Sequence, residues 1–242
     1  MVNVLKNLIS LSLASVLINL YVGIIYVPKL FNKLKYGDVV ELPSSVLEAL
    51  KLTLNQTNYS EFGGFNNETG ADHFIVPNIV HYVRFRKKSW TFVQYICMHS
   101  AYIIQRPDFI FIHTDVDQFK GKYWNWVLRE PDFRSRIVRI PTQAPANIFG
   151  QEFLPIFKLH HGSDITRIRV LMKYGGIFLD NDAYVVNNLD KYRKYEMTIG
   201  WPKNETLGTM VLIANKNARF LKLWLDDYRD YKKDIWYTRK CD

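Results

Sequence analysis

HHGSDITRIRVLMKYGGIFLDNDAYVV, residues 160–186, reads as a helix, a glycine break and a short strand that carries two carboxylates to its end. Ile165, Ile168, Leu171 and Met172 recur at helical spacing, with Ser163 or Asp164 placed to cap the helix they define. Arg167, Arg169 and Lys173 occupy the rest of its surface. Gly175 and Gly176 stop the helix, because glycine takes the left-handed C-cap conformation without steric penalty. Ile177, Phe178 and Leu179 then form a buried strand, so Asp180, Asn181 and Asp182 fall at a sheet edge, where α/β proteins place ligands. In an extended conformation residues 180 and 182 point the same way. Two hard oxygen donors converging on one spot suit Mn2+ or Mg2+, ions that commonly take one or two carboxylates together with substrate phosphates. A bare triplet of this kind is usually only a solvated turn.

Strand and helix alternate around this segment. Ile79 to Phe85, Phe109 to His113, Ile137 to Ile140 and Thr209 to Ala214 read as further strands. Ser89 to Gln105 and Ala218 to Tyr228 read as helices. The alternation predicts an α/β domain with a mostly parallel sheet, running from about Phe74 to the C-terminus as one domain.

Ser163-Asp164, Arg167, Tyr174-Gly175-Gly176 and Asp180-Asn181-Asp182, taken together, resemble the glycosyltransferases with a DXD-containing sugar-binding region. That family includes α-1,4-galactosyl- and α-1,4-N-acetylglucosaminyltransferases and, more distantly, capsular and mannosyl enzymes. Weaker similarity runs through VPNIVHYVRF (76–85), PDFIFIHTD (107–115), GKYWNWV (121–127) and LGTMVLIANKNARFLKLWLDDY (207–228). The resemblance implies a GT-A fold and a metal-dependent, retaining hexosyltransferase that moves a sugar from a uridine diphosphate-linked donor to a glycan or glycolipid hydroxyl. It also implies residue roles. Asp182 would bind the divalent cation, Mn2+ or Mg2+, with Asp180 touching the ribose and the metal shell, and Asp164 and Arg167 would hold hydroxyls of the donor sugar. A fixed cation suits the charge that accumulates on a nucleotide diphosphate leaving group. The rigid donor fork of Arg167 and the acceptor-only Asp164 can between them read a hydroxyl pattern. Without such a ligand, the same two residues are an ordinary ion pair one turn apart on a helix.

Two positions depart from the pattern. Phe178 stands where many relatives carry Tyr, and Arg84 where many carry a Trp that can stack on uracil. Tyr82, Phe85 or the Arg84 guanidinium plane would have to take that place, since arginine also stacks.

Asn7 to Val27 is a run of 21 residues without charge, long enough to cross a bilayer as a helix. No Ala-x-Ala site follows before Pro28-Lys29, which favours an uncleaved anchor over a signal peptide. The organisation expected is a cytosolic tail at 1–6, an anchor at 7–27, a stem at 28–73 and a glycosyltransferase domain at 74–242. Lys29, Lys33 and Lys35 follow the span and only Lys6 precedes it, which by itself keeps the domain cytosolic. Against that stand Asn-x-Ser/Thr triplets at Asn55, Asn58, Asn67 and Asn204, three of them crowded into the stem. With the resemblance, these point to a type II Golgi membrane glycoprotein with a lumenal catalytic domain.

Other features carry less. Cys97 lies in an apolar helix and reads as a small buried hydrophobe, and a count of two does not pair it with Cys241. His160 and His161 precede the Ser-Asp pair, but no spacing supports a zinc site. The net charge of +9 comes from dispersed Lys and Arg, which fits an anionic membrane face or an acidic glycan better than nucleic acid. Relatives usually continue past the position of Asp242 with acceptor-side residues, so a second class stays open: a truncated, non-catalytic domain that binds nucleotide-sugar or partner enzymes.

Overall fold

The structure, a computed structural model, describes residues 68–200 and 207–231. The expected anchor, the stem as far as residue 67, the triplets at Asn55, Asn58 and Asn204, the acceptor Asn67 itself and Cys241 lie outside those residues. Among the described residues, no helix is long and apolar enough to cross a membrane.

The chain runs β1 (Ile79–Arg84), α1 (Phe92–Ser100) continued by a π-helical turn (Ala101–Gln105), β2 (Phe109–Thr114), α2 (Lys122–Arg129), α3 (Pro131–Arg136) and β3 (Ile137–Pro141). A small hairpin of β4 (Asn147–Ile148) and β5 (Gln151–Glu152) leads into α4 (Lys158–Tyr174) and β6 (Gly176–Leu179). A 3-10 turn (Asp190–Lys194), β7 (Met197–Gly200), β8 (Gly208–Ala214), α5 (Arg219–Asp227) and a last 3-10 turn (Tyr228–Asp230) complete it. Six strands make one sheet in the order β3-β2-β1-β6-β8-β7. β1 pairs in parallel with β2 and β6, and β2 with β3, while β8 lies antiparallel to β6 and β7. The expected α/β architecture with a mostly parallel sheet is therefore present.

Every residue of β1 and β6 is buried, as expected of strands covered on both faces. One face packs Val80, Tyr82, Ile110, Ile112 and Ile177 against Met98 of α1, Ala101 of the π-helical turn, Val127 of α2 and Phe133 of α3. The other packs Val83, Phe178 and Leu212 against Ile168 and Leu171 of α4 and Leu221 of α5. From β1 the chain moves outward to β2 and β3, then crosses back to lay β6 on β1's other side. That reversal opens a crevice at the carboxyl ends of β1 and β6, the place where open α/β sheets bind ligands.

The Gly-Gly break is built for close approach. Gly176 has φ of +118°, and a Cβ there would stand 2.6 Å from the Ile79 carbonyl oxygen and 2.8 Å from His81 Nε2. His81 Nε2 donates to the Gly175 carbonyl at 2.8 Å, so its Nδ1 accepts from His113 Nε2 at 3.0 Å. Both rings are fully buried, and burial pushes both pKa values below the usual histidine range, His81 down to about 4.

Several boundaries differ from the expectation. α4 begins at Lys158, so neither Ser163 nor Asp164 is its cap; the Ser163 hydroxyl donates to the Leu159 carbonyl at 2.7 Å from inside the helix. α1 begins at Phe92 under a capping box of Thr91 and Gln94, three residues later than the apolar pattern suggested.

Candidate active site

β6 ends at Leu179, and the chain turns at once: Ala183 N donates to the Asp180 carbonyl at 3.0 Å. Asp180 and Asp182 therefore flank a tight turn and do not continue the alternation of a strand, which corrects the expectation that they point the same way for that reason. The turn is held by both neighbouring strands and by α1. Asp180 N donates to the Met210 carbonyl at 2.9 Å, and Asn181 Nδ2 to the Val83 carbonyl at 2.8 Å, spanning the crevice between β6 and β1. Val185 N donates to Ser100 Oγ at 2.9 Å. Carboxylates on a turn pinned this way need little reorganisation to meet a ligand.

Arg167, buried on α4, reaches the same spot. Its Nη2 lies 2.9 Å from Asp164 Oδ1 and 3.4 Å from Asp180 Oδ1. Its Nη1 donates to the Thr209 carbonyl at 2.7 Å and to Thr209 Oγ1 at 2.9 Å, and the guanidinium lies 4.7 Å from the centroid of the Phe178 ring. Asp164, Arg167 and Asp180, chosen from the sequence, thus form one cluster. Thr209 completes it and was not anticipated, since nothing in its local sequence marks it out. Phe178 is core, packed beneath the guanidinium and 1 % exposed.

The electrostatics are those of a crowded acidic site. Burial pushes Asp180 up to about 6, Arg167 opposes that rise, and the nearby carboxylates of Asp182 and Asp164 add to it. Burial also raises Asp164, against Arg167, His161 and His160. Asp182 is exposed and makes no hydrogen bond or ion pair among the described residues. Asn181 Oδ1 is buried without a partner. Among the described residues no three His, Cys, Asp or Glu side chains group as a metal cage. Asp180 and Asp182 still fit a divalent cation that keeps water and substrate phosphate as its remaining ligands, and such a cation would relieve their mutual repulsion.

Further residues frame the cluster. Cys97 is buried, and its thiol is pushed up by burial and by Asp182, which sets α1 beside the carboxylate turn. His161 is buried with Nδ1 2.5 Å from the Tyr231 hydroxyl, while His160 is exposed. Tyr228 packs against the clusters of Ile165 and Ile168, and burial followed by Asp164 raises its hydroxyl pKa. Arg84 does not lie open as a stacking plane. It is 4 % exposed, donates from Nε to the Lys87 carbonyl at 3.2 Å and from Nη2 to the Ser89 carbonyl, and covers Trp90 at 4.4 Å. Tyr82 and Phe85, the other stacking candidates, are buried in the core.

An acidic turn at the switch point of an α/β sheet, backed by a helix-borne arginine, is suited to a ligand that offers hydroxyls and metal-bound phosphate. Residues 94–199 match the family model described as the glycosyltransferase sugar-binding region containing DXD motif. The chain is 28 % identical over 180 residues to glucan organizing enzyme 1 of Cryptococcus neoformans var. grubii, covering 67 % of this chain and 46 % of that protein. It is 26 % identical over 135 residues to an uncharacterized protein of Arabidopsis thaliana, covering 53 % of this chain and 20 % of that one. The chain thus spans about half or less of these curated relatives. Among solved structures it is similar to the PaToxG glycosyltransferase, 13 % identical with a TM-score of 0.45 over 79 % of this chain and 71 % of that one. It is also similar to the galactosyltransferase LgtC in complex with donor and acceptor sugar analogues, 15 % identical with a TM-score of 0.40 over 66 % of each chain.

Proposed function

We propose that the chain is a metal-dependent, retaining glycosyltransferase of GT-A type that moves a sugar from a uridine diphosphate-linked donor to a hydroxyl of a glycan or glycolipid. The observation that carries this reading is the convergence of Asp164, Arg167 and Asp180 beside the exposed Asp182, on a turn fixed to β1, β8 and α1. Bound Mn2+ or Mg2+ would supply positive charge against the developing charge of the leaving diphosphate. Asp182 and Asp180 are the residues to hold it. Arg167 and Asp164 then offer a donor fork and a carboxylate to sugar hydroxyls, and the pinned turn keeps these groups in register. The type II Golgi arrangement with a lumenal catalytic domain belongs to this reading through the sequence features at 7–27 and 55–67.

The test is a panel of nucleotide-sugars offered to the purified full chain with Mn2+, following nucleotide release and transfer to glycan acceptors. Release that requires both a uridine diphosphate-sugar and metal supports the proposal. Saturable nucleotide-sugar binding with no release under any acceptor would favour the second reading, a non-catalytic binding domain, which the incomplete span of the relatives makes worth testing.

A further inference from the structure

Outside the acidic crevice, a basic ridge lies at the carboxyl ends of β1 and β2. It comprises residues 86–93, between β1 and the first turn of α1, and residues 115–126, which lead from β2 into α2. The two segments are tied together: Lys120 N donates to the Lys88 carbonyl at 2.9 Å, and Ser89 bridges to Lys120. Arg84 folds the first segment by binding the Lys87 and Ser89 carbonyls, and Asp115 Oδ1 accepts from Arg86 N at 2.6 Å, where Arg86 takes a left-handed φ of 57°. The sequence departure at Arg84 thus has a structural use, since that side chain shapes a basic loop.

This loop pair presents Arg86, Lys87, Lys88, Lys120 and Lys122 against only Asp115 and Asp117. None of the five cations has an ion pair among the described residues. Between them stand apolar side chains that a solvated surface would not favour. Phe92 and Val93 are 50 % and 51 % exposed on adjacent positions of α1. The Phe92 ring lies 5.7 Å from Tyr123, Tyr123 lies 5.1 Å from Trp126, and Lys122 Nζ sits 5.6 Å and 5.3 Å from those two rings.

We infer that this ridge docks on a membrane face that carries anionic lipid. Exposed Val93 offers a glycan neither a hydrogen bond nor a stacking face, and together with Phe92 it gains by leaving water at the headgroup level. Tyr and Trp suit the same depth, and lysines reach headgroup phosphates while their stems cover apolar surface. The charge asymmetry supplies the long-range attraction, with each lysine near an anionic surface contributing independently of the others. Because β1, β2 and β6 are parallel, the ridge and Asp180 share one edge of the sheet, so docking would turn the acidic crevice toward the bilayer. The inference does not depend on the activity proposed above; anionic lipid lies on cytoplasmic leaflets, so such docking goes with the cytosolic orientation that Lys29, Lys33 and Lys35 favour and against the lumenal one, and its test reads lipid contact and not transfer.

The full chain is reconstituted into nanodiscs of phosphatidylcholine alone or with phosphatidylserine, and lysine reactivity toward reductive methylation is mapped by mass spectrometry. Lys87, Lys88, Lys120 and Lys122 are expected to be protected in the anionic discs, with Lys222 on the opposite helical layer as the unprotected reference, and raised salt should remove the protection. Lys87→Glu with Lys88→Glu should weaken protection of Lys120 and Lys122 roughly tenfold or more. Val93→Ser should weaken it through lost apolar contact with no change of charge. Equal reactivity in both discs overturns the inference. So does protection that appears only with a soluble polyanion such as heparin, which would assign the ridge to an acidic polymer.

Discussion

Arg167 Nη2 stands between two carboxylates, 2.9 Å from Asp164 Oδ1 and 3.4 Å from Asp180 Oδ1, and so couples helix α4 to the turn after β6. Its guanidinium is buried and both carboxyls have raised pKa values, so Arg167 is what keeps two half-buried acids ionised side by side. Arg167→Ala should therefore fail in two ways. Activity should fall roughly a hundredfold or more, as for loss of an electrostatic contact in other active sites. Stability at neutral pH should fall by about 1–3 kcal/mol, because charge-assisted hydrogen bonds are lost and acceptors stay buried. Arg167→Lys restores charge but not the fork, so urea titrations should show partial recovery of stability while the transfer assay shows little recovery of rate.

Asp182 behaves differently because it is exposed and has no hydrogen bond or ion pair among the described residues. Asp182→Ala should abolish turnover and Mn2+-dependent nucleotide binding. Stability should change by only about 0.5 kcal/mol or less. Any shift at neutral pH should be upward, since Asp182 is one of the charges that destabilise ionised Asp180. Calorimetric titration of nucleotide with and without Mn2+, alongside thermal melts, checks both halves. Metal-dependent binding that survives in this variant would remove Asp182 from the cation site.

The buried histidines predict acid sensitivity. A histidine held neutral by burial gives stability that is fully present above its unfolded pKa near 6.5 and is lost as pH falls toward the folded value. Between pH 7 and pH 5, His81 alone should cost about 2 kcal/mol. His113 adds to this in the same direction, its Nδ1 having no partner to reward protonation. Asp180 has the opposite sign: its raised pKa means the folded state takes up a proton as pH falls through about 6, which offsets about 1 kcal/mol over the same interval. Urea unfolding of the metal-free protein should thus weaken on acidification, and in Asp180→Asn it should weaken more steeply than in the wild type. A flat stability profile between pH 7 and pH 5 would contradict the neutral, hydrogen-bonded assignment of the His81 and His113 pair.

Much of this site was legible because its residues are neighbours in sequence. A helix period, two glycines and an Asp-Asn-Asp triplet lie within one short segment, and each has a local physical meaning. What could not be read arises from contacts between distant segments. Thr209 meets Arg167 across 42 positions, and Asn181 meets the Val83 carbonyl across 98, with no local pattern to announce either. The helix start was misplaced because Ser163 and Asp164 have cap chemistry, yet the preceding Leu159 and His161 are buried or half-buried on α4 and extend it by more than a turn. Arg84 looked like a stacking surface because its side chain is flat. In the fold it is consumed by two backbone carbonyls and Trp90.

Topology has its own test, since the lysines after residue 27 and the triplets at Asn55, Asn58 and Asn67 argue for opposite sides of the membrane. In a secretory cell the protein should gain gel mobility on deglycosylation, and replacing those three asparagines by Gln should remove most of the shift. An unglycosylated protein whose C-terminal part is cut by protease from the cytosolic side would establish the opposite orientation.

The last prediction concerns stereochemistry. A retaining reaction through an enzyme-bound glycosyl intermediate needs a carboxylate free to attack the anomeric carbon, as in retaining glycosidases. Around the candidate donor site, Asp164 and Asp180 are engaged by Arg167, and Asp182 is the residue assigned to the cation. Among the described residues, no further Asp or Glu is drawn into the electrostatics of Asp180. The acceptor hydroxyl should then attack on the face from which the diphosphate departs, with a departing phosphate oxygen taking the hydroxyl proton, so that an α-linked donor gives an α-linked product. NMR of the isolated product decides it through the anomeric coupling. A β-linkage would require an inverting reaction with a general base among residues other than these three, and trapping of a glycosylated Asp or Glu by mass spectrometry would contradict front-face attack even if configuration were retained.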